Sequence, residues 1–191
     1  MDSNTTTIIL VAIVFLVVGG LLAMAVMRFQ RTRRLRERFG PEYDHVVNEA
    51  GDKLKAESEL EARLAHVETL KIRPLNAEEV NRFSLEWQAT QAEFVDEPLA
   101  SVQKADRLIR EAMKAKGYPV EDFEQRAADI SVDYPDLVTD YRGLHMIAVK
   151  EADDEVSTEE MRQAMVHGRA LFENLVSRET SDETTDEKER I

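Results

Sequence analysis

The sequence predicts an all-α protein, in which an N-terminal transmembrane helix is followed by a cytoplasmic helical bundle of about six helices. Three observations support this prediction. A long stretch near the N-terminus contains no charged residue, arginines follow it directly, and the rest of the chain repeats apolar residues at helical spacing without strand-like alternation. The 191 residues carry a net charge of −13 and no cysteine, which excludes disulfides and thiolate metal sites.

The transmembrane helix is predicted over residues 8–27. These 20 residues contain no charge, and at about 1.5 Å per residue they span roughly the 30 Å hydrocarbon core of a bilayer. A cleaved signal peptide is the alternative, because Ala23, Met24 and Ala25 form an A-x-A triplet, although no Lys or Arg precedes the apolar stretch. Gly19 and Ala23 also form a small-xxx-small pair that would let two copies associate.

Six arginines follow the apolar stretch, and we call them the arginine collar: Arg28, Arg31, Arg33, Arg34, Arg36 and Arg38. Positive charge is retained on the cytoplasmic side of membranes. We therefore expect residues 1–7 to form a short extracytoplasmic N-terminus and residues 28–40 to form a basic juxtamembrane segment in the cytoplasm. We also expect the collar to bind the headgroups of anionic lipids.

The charge of the chain is unevenly distributed. It is −1 over residues 1–27, +5 over 28–38, −14 over 39–176 and −3 over the tail at 177–191. The tail lacks an apolar pattern and is predicted to be a disordered acidic tail. An acidic helical domain over residues 41–176 would be repelled by anionic lipid and by nucleic acid, so we expect it to hang free below the collar and to bind no nucleic acid.

The first helices of this domain are predicted from apolar spacing and from capping signals. One helix is expected over residues 41–70, where a four-three spacing with two charged positions allows a coiled-coil dimer. The next begins after Asn76, which forms a capping box with Glu79, and places aromatic residues on one face. The third runs over residues 98–116 and ends at Gly117.

Three further helices complete the predicted bundle. A short helix is expected over residues 121–131 and another over residues 135–150. The last helix begins with a second capping box, formed by Ser157 and Glu160. Gly168 lies on its apolar stripe, and we expect it to allow the close approach of another helix.

Residues with catalytic or metal-binding potential are few. No phosphate-binding glycine loop, G-x-S-x-G pentapeptide or H-E-x-x-H motif occurs. Glu42 and His45 have an E-x-x-H spacing, which we interpret as part of a solvated first helical turn. His145 and His167 are placed on the inner sides of different helices and could together bind a metal. Four aspartates at helical spacing, without an EF-hand loop, give only a weak indication of calcium: Asp129, Asp133, Asp136 and Asp140.

Several segments of the chain resemble an uncharacterised family of bacterial single-pass membrane proteins with helical domains. The most specific is KGYPVEDFEQRAADISVDYP at 116–135; the others lie at 36–44, 71–79, 94–98 and 157–175. The resemblance implies a short N-terminal anchor joined to a helical domain, and it implies no activity, cofactor or catalytic residue. Gly168 departs from the family pattern, which has an aromatic residue after the histidine.

These observations lead to two functional hypotheses. The first is a non-enzymatic protein-interaction or scaffold module, held at the bacterial inner membrane by a single span and acting without a cofactor. Its partner would be another protein or a second copy of the chain. The alternative is a metal-binding or enzymatic helical bundle that uses His145 and His167.

Overall fold

The computed structural model describes residues 3–151 and 155–177, with side chains over residues 15–151 and 155–176. All the regular secondary structure in this part of the chain is helical, with one helix more after α1 than the six expected. The predicted tail at 177–191 lies outside the described residues except for Ser177. The helices are α1 (Ser3–Phe39), α2 (Pro41–Ala50), α3 (Lys53–Thr69), α4 (Ala77–Glu93), α5 (Pro98–Lys116), α6 (Phe123–Asp133), α7 (Val138–Ala148) and α8 (Thr158–Ser177).

Helix α1 is continuous from the apolar stretch through the arginine collar. Among the described residues it is the one helix long and apolar enough to cross a bilayer. None of its most apolar window is buried, and Phe15 and Phe29 are 74% and 70% exposed. Leu35 and Phe39, near its C-terminal end, are completely buried. A single helix therefore joins the exposed apolar stretch to the core of the folded domain.

The single helix expected over residues 41–70 is two helices. Gly51 ends α2 with a left-handed backbone, φ 63°, which a glycine adopts without steric cost. Asp52 then caps α3, because its carboxylate accepts a hydrogen bond from the backbone N–H of Lys55 at 2.8 Å. The long four-three stripe is interrupted here, and α2 and α3 fold against each other as a helical hairpin.

The helices enclose two apolar cores. The larger lies in a bundle formed by α4–α8, and it contains Trp87 stacked on Phe172 with 4.5 Å between the ring centroids. The smaller lies next to the predicted transmembrane helix, in a unit that we name the membrane-proximal unit after that prediction; it is formed by the end of α1, by α2 and α3, and by one residue of α6. Its buried residues are Leu35, Phe39, Tyr43, Val46, Ala56, Leu60, Val67 and Val132.

Two predicted capping boxes and one predicted helix end are confirmed. Asn76 accepts a hydrogen bond from the N–H of Glu79 while the Glu79 carboxylate accepts one from the N–H of Asn76. Ser157 and Glu160 exchange hydrogen bonds in the same way ahead of α8. Gly117 ends α5 at φ 103°. These are local signals, so the sequence alone positions them well.

Two glycines lie where separate segments of the chain approach each other closely. A Cβ at Gly117 would lie 2.6 Å from the backbone oxygen of Lys71, so the segment after α3 runs directly over the end of α5. A Cβ at Gly168 would lie 2.9 Å from a methyl carbon of Leu144, which confirms the expected close approach at this position and identifies α7 as the neighbouring helix.

Candidate membrane-proximal site

The collar lies along α3, and contacts between the two helices show that they run in the same direction. Thr32 donates a hydrogen bond to Glu57 at 2.6 Å. Arg34, two residues further along α1, reaches Glu61, one turn further along α3, at 3.4 Å, and Arg31 also pairs with Glu61, at 2.8 Å. Leu35 and Arg38 line a groove with residues 64–68. Rising residue numbers in α1 therefore meet rising residue numbers in α3.

Glu57 is the buried carboxylate of this contact. It is 2% exposed and accepts hydrogen bonds from Thr32 and from the Tyr43 hydroxyl, the latter at 3.0 Å. The charged groups of Arg31 and Lys53 lie 3.8 Å from its oxygens. Burial, reinforced by the hydrogen bond to Glu57, raises the pKa of Tyr43, so the phenol remains a donor. One side chain thus links α1, α2 and α3.

The remaining collar arginines are engaged to different degrees. Arg34 lies 3.4 Å from Glu61, and Arg36 lies 3.0 Å from Asp44. Two others pair more loosely or locally: Arg38 with Asp133 at 3.7 Å and Arg33 with Glu37 at 2.8 Å on α1 itself. For Arg28, no ion pair is found within the described part of the chain. The collar is therefore largely neutralised by carboxylates of the protein.

The negative charge of the domain had led us to expect that it hangs free below the collar. The structure instead shows the domain in contact with the collar. Leu35 and Phe39 are part of the smaller core, and Glu57, Glu61 and Asp44 pair with collar arginines. The expectation considered only repulsion between the acidic domain and the membrane. The structure adds an attraction between the acidic domain and the basic end of its own helix, with ion pairs at 2.8 Å and 3.0 Å.

Glu42 holds the membrane-proximal unit against the bundle. It is completely buried and accepts two hydrogen bonds from Arg142, both at 2.8 Å, and one from Arg63 at 2.8 Å. Arg63 also donates to Ser131 at 3.2 Å. Burial opposes ionisation of Glu42, but the two guanidinium groups outweigh it and hold its pKa below the ordinary value. The interpretation of Glu42 as part of a solvated turn is wrong.

The two histidines of the metal hypothesis each pair with a separate carboxylate. His145 contacts Asp106 through Nδ1 at 3.0 Å and stacks on the Phe123 ring at 3.7 Å between centroids. His167 contacts Asp140 through Nδ1 at 2.7 Å. Among the described residues no group of three histidine, cysteine or carboxylate side chains is arranged to hold a metal. His145 and His167 thus belong to two separate His–Asp pairs rather than to one ligand set.

The four aspartates at helical spacing have different environments. Asp129 is completely buried, and burial raises its pKa although Gln125 donates to it at 2.8 Å. Asp133 accepts from the Tyr118 hydroxyl at 2.5 Å, and Asp140 pairs with His167. Asp129, Asp133 and Asp140 have separate partners, so the spacing reflects contacts between helices and not a shared cation position.

Two surface depressions flank this region. One is a groove of about 470 Å³ between α1 and α3, lined by Arg34, Leu35, Arg38, Glu61, Leu64, Ala65 and Glu68. The other is a polar cleft of about 540 Å³ over the Glu42 ion pairs, between the α2–α3 hairpin and α6–α7. Cations and carboxylates alternate in both linings, so neither is a strongly charged pocket.

Sequence reasoning had one usable signal for these contacts. Glu57 is one of the two charged positions on the apolar stripe predicted for the first helix, and a charge at such a position indicates a buried partner. Glu42 gave no comparable signal, because its partner Arg142 is 100 residues away in the chain.

No protein-family model, curated protein or solved structure matches this chain. The resemblance to bacterial single-pass membrane proteins consequently stays a prediction.

Proposed function

We propose that this protein is a single-pass membrane protein whose helical domain lies on the cytoplasmic side of a bacterial inner membrane and acts there as a non-enzymatic interaction or scaffold module. The observation that carries the proposal is the continuity of α1. It passes without a break from an exposed apolar stretch to Leu35 and Phe39, which are buried in the domain.

The exposure of the apolar stretch supports a membrane location. Over residues 15–29 the large apolar side chains are 48% to 76% exposed. Soluble monomeric proteins rarely expose apolar patches of more than a few hundred Å². A core helix of a soluble protein would bury the same side chains, and none of this window is buried in the described structure. Lipid tails would provide the missing apolar surroundings.

The direct connection to the domain favours a scaffold. A flexible linker would let the domain sample many distances from the membrane, whereas α1 is anchored by Leu35, Phe39 and the Thr32–Glu57 hydrogen bond. The domain would therefore present its surfaces at a fixed height and orientation. Fixed presentation is useful to a module that assembles other proteins at the membrane.

The orientation can be tested with the full chain carrying a C-terminal reporter in intact bacterial cells. The positive-inside rule predicts an active cytoplasmic reporter, and protease added outside should leave the domain intact. Digestion beyond residue 40 would show that the orientation is reversed. N-terminal sequencing of the mature protein separates a retained anchor from cleavage after Ala25.

The interaction role can be tested by recovery from detergent extracts. The native chain is compared with a variant in which residues 8–27 are replaced by an unrelated span. If the domain carries the interaction, both forms recover the same partner. A domain that recovers nothing and sediments as a monomer in both forms would contradict the proposal.

Self-association through the anchor is distinguished by a matched pair of variants. Gly19→Ile enlarges the small-xxx-small face that Gly19 forms with Ala23, and Gly20→Ile places the same side chain on the adjacent face. Neither added Cβ meets another atom in the chain. Loss of a crosslinked dimer in Gly19→Ile alone identifies this face as the contact.

A further inference from the structure

The tip of the α2–α3 hairpin, residues 51–55, lies at the end of the domain that faces the apolar stretch of α1. Because α1 and α3 run in the same direction, the start of α3 lies on the side from which α1 enters the domain. Thr32 is level with Glu57 through their 2.6 Å hydrogen bond. This contact fixes the position of the tip along α1.

The level of the tip follows from helix geometry. Thr32 is about 7.5 Å beyond Met27, the last residue of the apolar stretch, at about 1.5 Å per residue. Lys53 precedes Glu57 by one turn, about 6 Å, and its ammonium group lies 3.8 Å from the Glu57 carboxylate. Lys53 and Leu54 are therefore within about 3 Å of the level of Met27. The headgroup layer extends about 5–8 Å beyond the hydrocarbon on each side.

The length of α2 gives a second estimate of the position of the tip along α1. Phe39 ends α1 about 18 Å beyond Met27. After Gly40, α2 turns back beside α3 for ten residues, which return the chain by about 15 Å. The two estimates agree that Gly51 and the residues after it lie near the start of the headgroup layer.

The side chains of the tip suit a membrane interface. Leu54 is 51% exposed although it is apolar, and the Lys53 side chain is 57% exposed beside it. The acidic residues next to the tip have contacts within the protein. The Asp52 carboxylate caps α3, and the Glu49 carboxylate lies 3.7 Å from Nε2 of His45, one turn earlier on α2. Lysines at such a position keep their charge among phosphates while an apolar neighbour enters the hydrocarbon edge.

We propose that this tip is a second membrane contact of the domain, with Leu54 inserted at the hydrocarbon edge and Lys53 against the phosphates of anionic lipids. The proposal rests on the proposed function, because the level of the tip is measured from a helix that spans the membrane. Two contacts, the span and the tip, would prevent the domain from swinging about α1.

The absence of cysteine makes a depth measurement direct, since each introduced cysteine is a unique labelling site. The full chain carries Leu54→Cys, Phe29→Cys or Ala65→Cys, each labelled with an environment-sensitive fluorophore. The proteins are reconstituted in vesicles of phosphatidylcholine and phosphatidylglycerol that contain lipids with a quencher near the headgroup. Ala65 is the matched control, because it is exposed on the same helix, about 16 Å further from the membrane.

We expect quenching of the Leu54→Cys label to approach that of Phe29→Cys, and the Ala65→Cys label to keep its fluorescence. Quenching at Phe29 without quenching at Leu54 would overturn the tip contact and leave the anchor intact. Equal quenching at Leu54 and Ala65 would overturn it as well, because the domain would then lie flat on the membrane. No quenching at Phe29 would overturn the spanning anchor, and the tip contact with it.

Discussion

The α4–α8 bundle and the membrane-proximal unit both bury charged side chains, but they differ in the size of the apolar core that accompanies them. The bundle has a large apolar core with stacked aromatic rings such as Trp87 on Phe172. The membrane-proximal unit has a small apolar core and two buried carboxylates, Glu42 and Glu57, that bond to neighbouring helices. A buried ion pair adds little stability relative to apolar packing, but it is costly to break and specifies geometry. The comparison indicates that the bundle supplies stability, while the charges fix the anchor on the domain.

The largest expected effect comes from removing the Glu42 carboxylate. Glu42→Ala leaves Arg142 without its hydrogen-bonded carboxylate and leaves Arg63 with Glu59 as its remaining partner, and breaking a largely buried pair costs about 3–5 kcal/mol. The measurement is denaturant unfolding of the full chain in detergent, with Trp87 fluorescence reporting on the bundle and hydrogen exchange in α2 and α3 reporting on the membrane-proximal unit. We expect the opening free energy that hydrogen exchange measures in α2 and α3 to fall more than the unfolding free energy that Trp87 fluorescence measures.

The control for Glu42→Ala replaces all three charged partners with methionine: Glu42, Arg63 and Arg142. Without an unpaired charge, this variant should recover most of the lost stability. If the triple variant is as unstable as Glu42→Ala, packing at this position and not charge is decisive, and the contrast between the two regions fails.

The second effect concerns the connection between the regions. Gly117→Ala forces an alanine to φ 103° and brings its Cβ within 2.6 Å of the Lys71 backbone oxygen. We expect a loss of about 1–3 kcal/mol from the backbone conformation, with a further loss from the displaced backbone. Gly51→Ala is the matched control, because its φ is also positive but no atom lies within 4 Å. Equal unfolding midpoints for the two variants would contradict the close approach.

Acid should weaken the two regions in a definite order. The pKa of Glu42 is lower in the folded protein than its ordinary value of 4.5. Its contribution to stability is therefore present above pH 4.5 and is lost as the pH falls through the folded pKa. Hydrogen exchange at decreasing pH should show α2 and α3 opening before the bundle, and simultaneous opening would contradict the assignment. The Glu42→Gln variant should lose this pH dependence.

Asp129 should give stability the opposite dependence on pH. Burial raises its pKa above the ordinary 3.8, so folding favours the protonated carboxyl, and stability falls as the pH rises through the folded pKa. Asp129→Asn keeps an acceptor oxygen for Gln125 without the charge. We expect the variant to gain stability relative to the native protein at neutral pH and to match it below pH 3.8. A variant that is less stable at neutral pH would show that ionised Asp129 is needed, with His66 as its partner at 3.6 Å.

The smallest effect is expected at the outer face of the collar. Within the described residues, Arg33 pairs only with Glu37 on its own helix, and both side chains are well exposed. Exposed pairs of this kind contribute little to stability, because solvent and salt screen them. Arg33→Gln should therefore leave the unfolding midpoint unchanged, whereas Thr32→Val, one residue earlier, removes a donor from buried Glu57 and should lower it. Equal unfolding midpoints would show that the face of α1 toward α3, which carries Thr32, and the exposed face, which carries Arg33, contribute equally to stability.

The parts of the fold that were predictable have local causes. The capping boxes at Asn76 and Ser157 and the end of α5 at Gly117 need only residues within one turn, and each is confirmed. The break at Gly51 was missed because the apolar spacing continues across it. The glycine conformation and the Asp52 cap that end the helix there compete with that spacing.

The candidate site was less predictable, because its contacts join distant segments. The six collar arginines were recognised, but their pairing with Glu57, Glu61 and Asp44 was not. The placement of His145 and His167 on different helices was correct, while their separate aspartate partners could not be read from spacing.

The sequence by itself determined the apolar stretch, the arginines behind it, most helix ends and the acidic character of the domain, because these follow from composition and from contacts within a turn. Only the tertiary structure decided which charges are buried, which arginines remain accessible and which end of the α2–α3 hairpin faces the apolar stretch. The physical reason is that a charge is stabilised or penalised by its surroundings. For Glu42 those surroundings include the guanidinium of Arg142, which lies 100 residues further along the chain.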